Sequence, residues 1–398
     1  MTDRLYYDDP YKREFDATVA SVQPLTEVEG SRHAIRVDRT AFYPTTGGQP
    51  FDTGTLGPSR VVDVVDDESG DVVHVVEGPA PRVGDAVHGV IDWARRFDHM
   101  QQHTGQHVLS AALVRLFGVK TVSFHLGSEM STIDVTRELT SREIAAGEDE
   151  ANRIVWEDHQ VSIRYASAEE AAAMPLRKES ARKGTLRLID VEGFDLSACG
   201  GTHVSRTGAI GIVAVTAWER FKGGQRLEFA CGGRVLARFR SLRDLTAAAV
   251  RSLSVLPAEV PGAIERLQGE VKDHKRALSD LQGALANYEG RELADSAEPF
   301  SGGGLVLRAL DADAARLKAL ASAITSKPGL LAVLLSTSLP SLIVAARSSD
   351  VSMSCNEIVS ALAKRFGGRG GGKPDLAQGG GLNAPVEELL GEARRLVK

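Results

Sequence analysis

Over residues 1–95 the apolar positions fall in short runs broken by polar turn residues. Arg60-Val61-Val62-Asp63-Val64-Val65 and Asp71-Val72-Val73-His74-Val75-Val76 are β-branched segments set between Gly, Asp and Pro turns. Four to eight such strands at close spacing predict a small N-terminal β-barrel. The turn-rich stretch Phe42-Tyr43-Pro44-Thr45-Thr46-Gly47-Gly48-Gln49-Pro50 interrupts it. From residue 96 the period changes. Val108, Leu109, Ala112, Leu113 and Leu116 recur at helical spacing and predict a helix over 98–117. A second helix opens after Thr140-Ser141, with Glu143 and Glu148 toward its N-terminal end. Strands near 186–191, 210–218 and 226–231 complete an α+β domain over 96–240.

Residues 241–298 read as a helical or coiled-coil linker. Within it Val260, Ile264, Leu267, Val271, His274, Leu278, Leu281, Leu285 and Tyr288 alternate steps of three and four. That is an a/d seam over about four heptads, belonging to a helical hairpin arm or coiled coil across 258–296, or to one amphipathic helix lying on its own domain. Residues 299–398 read as a small α/β domain. Buried strands are expected at Leu330–Leu335 and Leu342–Ala346, and helices around 311–326 and 354–366. A glycine-dense loop runs from Gly367 to Gly381, and a final helix starts near Pro385. The fold class is therefore α+β in four parts.

Composition narrows the class. Charged residues make up 25% of 398, and no apolar run approaches the roughly 20 residues of a membrane span. The polar start, Met1-Thr2-Asp3-Arg4-Leu5-Tyr6-Tyr7, has no apolar signal region, so a cytoplasmic location is expected. Three cysteines, Cys199, Cys231 and Cys355, are too few and too scattered for a disulfide framework. Each is then a core filler, a metal ligand or a nucleophile. Cys231 ends an apolar strand and reads as a core thiol; Cys355 reads as structural.

His103-Thr104-Gly105-Gln106-His107 sets two imidazoles at i and i+4, on one face of a helix and within reach of one ion. Cys199-Gly200-Gly201-Thr202-His203 offers a thiolate and a third imidazole from a glycine turn that lets them converge. Either pair alone is a weak signal. Together, three nitrogens and one sulfur point to one Zn²⁺ per chain held by His103, His107, Cys199 and His203. A metalloprotease helix would carry a glutamate where Thr104 stands.

Thr40-Ala41-Phe42-Tyr43-Pro44-Thr45-Thr46-Gly47-Gly48-Gln49-Pro50, then His103 and His107, then Gly193-Phe194-Asp195 leading into Cys199-Gly200-Gly201-Thr202-His203, resemble the editing domain of alanyl-tRNA synthetase. Their resemblance to its freestanding relatives, the AlaX trans-editing proteins, is closer still. Gly370 to Gly381, with Lys373-Pro374-Asp375-Leu376-Ala377-Gln378, resembles the DHH-associated domain that closes alanyl-tRNA synthetases, so the whole chain resembles the long form of AlaX. No segment resembles an ATP-binding synthetase core. The DHH phosphoesterase motif is missing, since Asp98-His99 and Asp158-His159 are followed by Met100 and Gln160. The resemblance implies hydrolysis in trans of seryl-tRNA(Ala), and of glycyl-tRNA(Ala), at the ester bond. It makes Thr40 the reader of a serine hydroxyl. Gly47 and Gly48 would approach the substrate with amides facing an oxyanion, and Gln49 would order water or the loop.

The net charge of −6 argues against a broad nucleic-acid surface, so tRNA(Ala) would need local basic clusters. Lys364, Arg365, Arg369 and Lys373 lie at the glycine-rich segment, in a C-terminal region with twelve Lys or Arg against eight Asp or Glu. Arg177, Lys178, Arg182, Lys183 and Arg187 form a second stretch. A homodimer through the coiled coil and C-terminal domain is expected, and no membrane partner. Two other readings stay open here: a zinc hydrolase of small aminoacyl esters, and a non-enzymatic tRNA-binding protein with structural zinc.

Overall fold

A computed structural model describes residues 1–25, 32–67, 70–177 and 184–398. The chain divides into two compact units, Met1–Ala248 and Ala249–Lys398. The first begins with strands β1 (Asp3–Arg4), β2 (Glu14–Pro24), β3 (Arg32–Val37), β4 (Arg39–Thr40), β5 (Gly54–Leu56), β6 (Ser59–Asp66), β7 (Val72–Glu77) and β8 (Ala86–Ile91). Six of them close a barrel in the order β2-β3-β7-β6-β5-β8, while β1 pairs with β4. Strict alternation makes this possible: in β8 Val87, Gly89 and Ile91 are buried and their neighbours exposed. Phe15, Val19, Ile35, Phe42 and Leu56 fill the interior. A bend at residues 41–53 leaves the barrel wall and carries the glycine motif.

Helix α1 (Trp93–Phe117) follows directly, five residues earlier than the apolar spacing indicates, because Asp92 caps it by accepting from Arg95 N. It ends at Gly118, whose left-handed backbone (φ 66°) suits glycine. Most of its residues between 99 and 113 are buried, so it shows little amphipathic contrast, and Leu116 stands exposed in the last turn instead of on an apolar face. Next come β9 (Thr121–Leu126), β10 (Ser131–Val135), α2 (Ser141–Glu157), β11 (Val161–Ala166), α3 (Ala168–Ala172), β12 (Leu186–Val191), β13 (Asp195–Ala198), β14 (Val213–Phe221), β15 (Gly224–Cys231) and α4 (Gly233–Leu253). Thr140 and Glu143 form a reciprocal capping box at the start of α2. The sheets are β14-β15-β10-β9 and β11-β12-β13. Helices α1 and α2 share one core with both sheets, through Leu109, Leu113, Ile154, Ile189, Leu227 and Phe229. Cys231 is a buried core thiol and lies so close to Gly105 that no side chain fits at that helix position. That contact seats the middle of the HxxxH turn against β15.

In the second unit, α5 (Val260–Asp295) is one uninterrupted helix of 36 residues, not a hairpin within 258–296. The a/d seam is exposed at Ile264, Leu267, Val271, Leu278, Leu281, Leu285 and Tyr288. The rest is a six-stranded sheet with three helices: β16 (Glu298–Phe300), β17 (Gly303–Leu310), α6 (Ala314–Ile324), β18 (Leu330–Ser336), β19 (Ser341–Arg347), α7 (Cys355–Phe366), β20 (Arg369–Gly372), β21 (Leu376–Leu382) and α8 (Val386–Val397). The strand order is β16-β17-β18-β19-β21-β20. Here the glycine-dense segment departs from the expected loop: it is a β-hairpin at the sheet edge. The reason is packing, because at Gly370 and Gly379 an added side chain would meet Val359 of α7 and the opposite strand. Cys355 is buried in this unit's core. No described helix is long and apolar enough to cross a membrane.

Candidate metal centre and cleft

Helix α1 presents His103 and His107 one turn apart, and the turn after β13 returns Cys199 and His203 to meet them. The four ligand atoms all lie within 4.8 Å of one another. Cys199 Sγ stands 3.3 Å from His103 Nε2 and 3.4 Å from His203 Nε2. Ligands around a tetrahedral zinc with bonds of about 2.0–2.3 Å are roughly 3.3–3.7 Å apart, so these separations fit. The three imidazoles are almost wholly buried and Cys199 is partly exposed.

Hydrogen-bond accounting assigns the tautomers. Gln49 Nε2 donates to Thr202 Oγ1, so its Oε1 is the acceptor that meets His103 Nδ1 at 2.8 Å. Asp195 Oδ2 lies 3.2 Å from His107 Nδ1, and a carboxylate only accepts. Thr104 Oγ1 donates to Met100 O and therefore accepts from His203 Nδ1 at 3.2 Å. Each ring thus carries its proton on Nδ1 and turns the Nε2 lone pair toward Cys199, as metal ligation requires. The donor set fits a soft-to-borderline dication such as zinc.

The electrostatics agree at Cys199 and His203, whereas at His107 burial pulls down but Asp195 and Cys199 outweigh it and raise the ring, so a bound metal must displace a proton there. Burial pushes the Cys199 thiol up, but the His103 and His203 imidazoles outweigh it and hold the thiol well below its ordinary value. Burial, then His103, drives His203 well below the usual imidazole range and keeps it neutral. Burial raises Asp195, but His107 and Arg177 bring it down to about 2.

The cluster opens onto a cleft of about 730 Å³ whose wall includes Tyr7, Gly47, His107, Phe124, Tyr165, Arg177, Arg187 and Cys199. Gly47 and Gly48 are the centre of a two-residue turn closed by Thr46 and Gln49, with φ of 54° and 83°. A Cβ at Gly48 would meet the Phe124 ring at 2.8 Å. Gly47 faces the cleft, while Gln49 is fully buried and spends its amide on His103 and Thr202. Sequence reasoning gave no role to Asp195, Thr202 or Thr104, although each lies within the motif segments or beside a ligand. Arg177 and Arg187, read as a basic face, are both drawn into the cleft wall. Arg187 donates to Tyr7 O, Cys199 O and Gly201 O and so braces the ligand turn. Lys178, Arg182 and Lys183 lie outside the described residues.

Thr40 is not brought to the cleft wall. Strand alternation turns it inward, where it is fully buried against His74. His74 Nδ1 faces Ile35 O and must donate there, so Nε2 accepts the Thr40 proton at 2.8 Å, and Phe42 N donates to the same Oγ1. Burial lowers His74 to about 4, so it is neutral in the fold. In the unfolded chain it takes a proton near pH 6.5. Its contribution to stability is therefore complete above that pH and drains as the pH falls toward 4, by roughly 3 kcal/mol. Urea midpoints measured with chelator present should fall over this window, and less steeply in His74→Gln. Parallel profiles would show that His74 does not titrate this way.

In the second unit Lys364, Arg365, Arg369 and Lys373 are exposed around the glycine hairpin, with Arg365 also paired to Glu392 at 2.7 Å.

Family models match three segments: "tRNA synthetases class II (A)" over 2–95, "Threonyl and Alanyl tRNA synthetase second additional domain" over 186–228, and "DHHA1 domain" over 301–398. The first is a class II synthetase model, against the expectation that no segment resembles such a core; the matched residues hold the closed barrel. The alanyl-tRNA editing protein AlaX-L of Pyrococcus horikoshii is 30% identical over 98% of this chain and 97% of its own length. An alanine–tRNA ligase of Pyrococcus abyssi is 32% identical over 95% of this chain, which spans 42% of that longer enzyme. The C-Ala domain of Aquifex aeolicus alanyl-tRNA synthetase aligns with 25% of this chain and 96% of its own, at 21% identity and a TM-score of 0.24. The end-to-end match to AlaX-L shows that the chain belongs to the family of alanyl-tRNA editing proteins, hydrolases that deacylate mischarged aminoacyl-tRNA.

Proposed function

We propose that this protein hydrolyses seryl-tRNA(Ala), and glycyl-tRNA(Ala), in trans, with one zinc ion held by His103, His107, Cys199 and His203. The observation that carries the reading is a metal-competent thiolate–imidazole cluster in the wall of an open cleft, in a chain that aligns end to end with an editing protein. When bound, zinc can acidify a water or polarise an ester carbonyl. Four protein ligands complete its usual coordination, which favours a positioning role over an open catalytic one.

The chain's own residues do the rest. Tyr7, Phe124 and Tyr165 line the cleft with aromatic surface on which a terminal base can stack. Gly47 brings backbone to the cleft, where its amide can face a developing oxyanion. Gln49 holds His103 in place and belongs to the reaction through that hold. Thr40, fully buried with its proton on His74, supports the glycine-bearing bend by accepting from Phe42 N and does not itself meet the serine hydroxyl. Lys364, Arg365, Arg369 and Lys373 take tRNA phosphates, together with Lys178, Arg182 and Lys183. Two copies pair through the exposed seam of α5 and the C-terminal domain. Domains at 1–95, 96–240, 241–298 and 299–398 divide these tasks in a cytoplasmic protein.

The deciding experiment compares hydrolysis of seryl-tRNA(Ala) and alanyl-tRNA(Ala) on one preparation whose metal is quantified. Rapid loss of the seryl ester with the alanyl ester spared, and about one zinc per chain, is expected. Equal half-lives with and without the protein would overturn the reading.

A further inference from the structure

The three ligand imidazoles do not have equivalent backing. His103 leans on a neutral amide oxygen and His203 on a hydroxyl, but His107 leans on Asp195, a carboxylate buried with the ring. Asp195 is held from three sides. Its Oδ1 accepts from Arg177 Nε at 2.7 Å, and its Oδ2 accepts from Ser197 Oγ at 2.9 Å as well as from His107. Strand β13 sets this up: Asp195 and Ser197 are buried at alternate positions on the same side, four and two residues before Cys199. Arg177 closes the other side and is itself part of the cleft wall.

We propose that Asp195, clamped by Arg177 and Ser197, is the positioning residue of the metal centre: it locks His107 with Nε2 toward the ion and adds the negative charge that tightens the hold on a dication. The physical reason is direct. A carboxylate accepting Nδ1–H fixes both tautomer and ring angle and makes the distal nitrogen a stronger donor, which a neutral amide or hydroxyl does less well. The cluster has one formal negative charge of its own, the Cys199 thiolate. Asp195 brings a second, buried where screening is weak, and Arg177 keeps it compensated when the ion is absent.

This inference rests on reading the cluster as a metal site, and the test separates the two. Zn²⁺ alone is titrated into the full chain against a chromophoric chelator, for wild type, Asp195→Asn, His107→Ala and the double variant. Asp195→Asn should weaken zinc roughly 10–100-fold and shift the visible bands of the Co²⁺-loaded protein. In the His107→Ala background the same change should have an effect of about twofold or less, because the carboxylate acts through that ring. Wild-type affinity in an Asp195→Asn variant with an unchanged circular dichroism spectrum would overturn the proposal, as would equal weakening in both backgrounds. If Asp195→Asn does not fold, Ser197→Ala in the same cycle decides, with a few-fold weakening that vanishes without His107. A wild-type chain that takes up no zinc refutes the metal reading itself.

Discussion

Cys199→Ala is expected to release the metal and lower seryl-tRNA(Ala) hydrolysis by roughly a thousandfold or more, the scale of a metal's several-kcal/mol contribution to a transition state. Cys199 carries the cluster's only formal negative charge, and its sulfur touches two of the three imidazole nitrogens. The Gly201 amide also points at that sulfur at 3.4 Å, so the turn is shaped around a thiolate. Without it, two buried rings face each other with ring centroids 4.4 Å apart and no anion between them. The variant should still fold, since Cys199 only packs against the edge of the core shared by α1, α2 and the sheets, whose fully buried members are other residues. The check is metal analysis and deacylation on one sample. Full hydrolysis by a metal-free Cys199→Ala protein would end the metal-based account.

The metal-competent cluster of three histidines and a cysteine was readable because each half of it is local. Two histidines at i and i+4 need only a helix, and a Cys and a His with three residues between them need only a tight turn. The barrel was readable because short Val-rich runs such as β7 recur at close spacing between turn residues, although burial and not sequence alternates along them. What stayed hidden is what depends on distant partners. Nothing near Arg187 indicates that it would brace Tyr7 and the Cys199–Gly201 turn rather than meet phosphate. Asp195 looks like any strand carboxylate until His107 arrives from a helix 88 positions earlier in the chain. Thr40 sits beside the glycine motif in sequence, yet strand alternation points it away from the cleft. The Gly367–Gly381 segment was hidden for the opposite reason: glycine has no side chain with which to show a strand's alternation, so a close-packed hairpin edge looks like a loop.

Gly201→Ala is the sharpest test of how the turn works, because its neighbour provides the control. Gly201 does not have a left-handed backbone, so conformational freedom is not why it is glycine. Space is. A Cβ there would overlap the His103 ring and lie 3.0 Å from Gln49 Oε1, the atom that holds that ring. The methyl group must therefore displace a ligand and its brace together. A cost of about 1–3 kcal/mol in stability is expected from overpacking, with a zinc affinity lowered at least as much as by losing an outer partner, roughly 10–100-fold. Deacylation should fall in step. At Gly200 the nearest atom to a new Cβ is Tyr7 Oη at 3.7 Å, an ordinary contact. Gly200→Ala should accordingly keep wild-type zinc affinity, because the ligands have no reason to move. Comparing the two variants by chelator competition isolates the His103 contact from any general sensitivity of the turn. Equal losses at both positions would mean that the turn's backbone, and not the room it leaves for His103, sets the geometry of the centre.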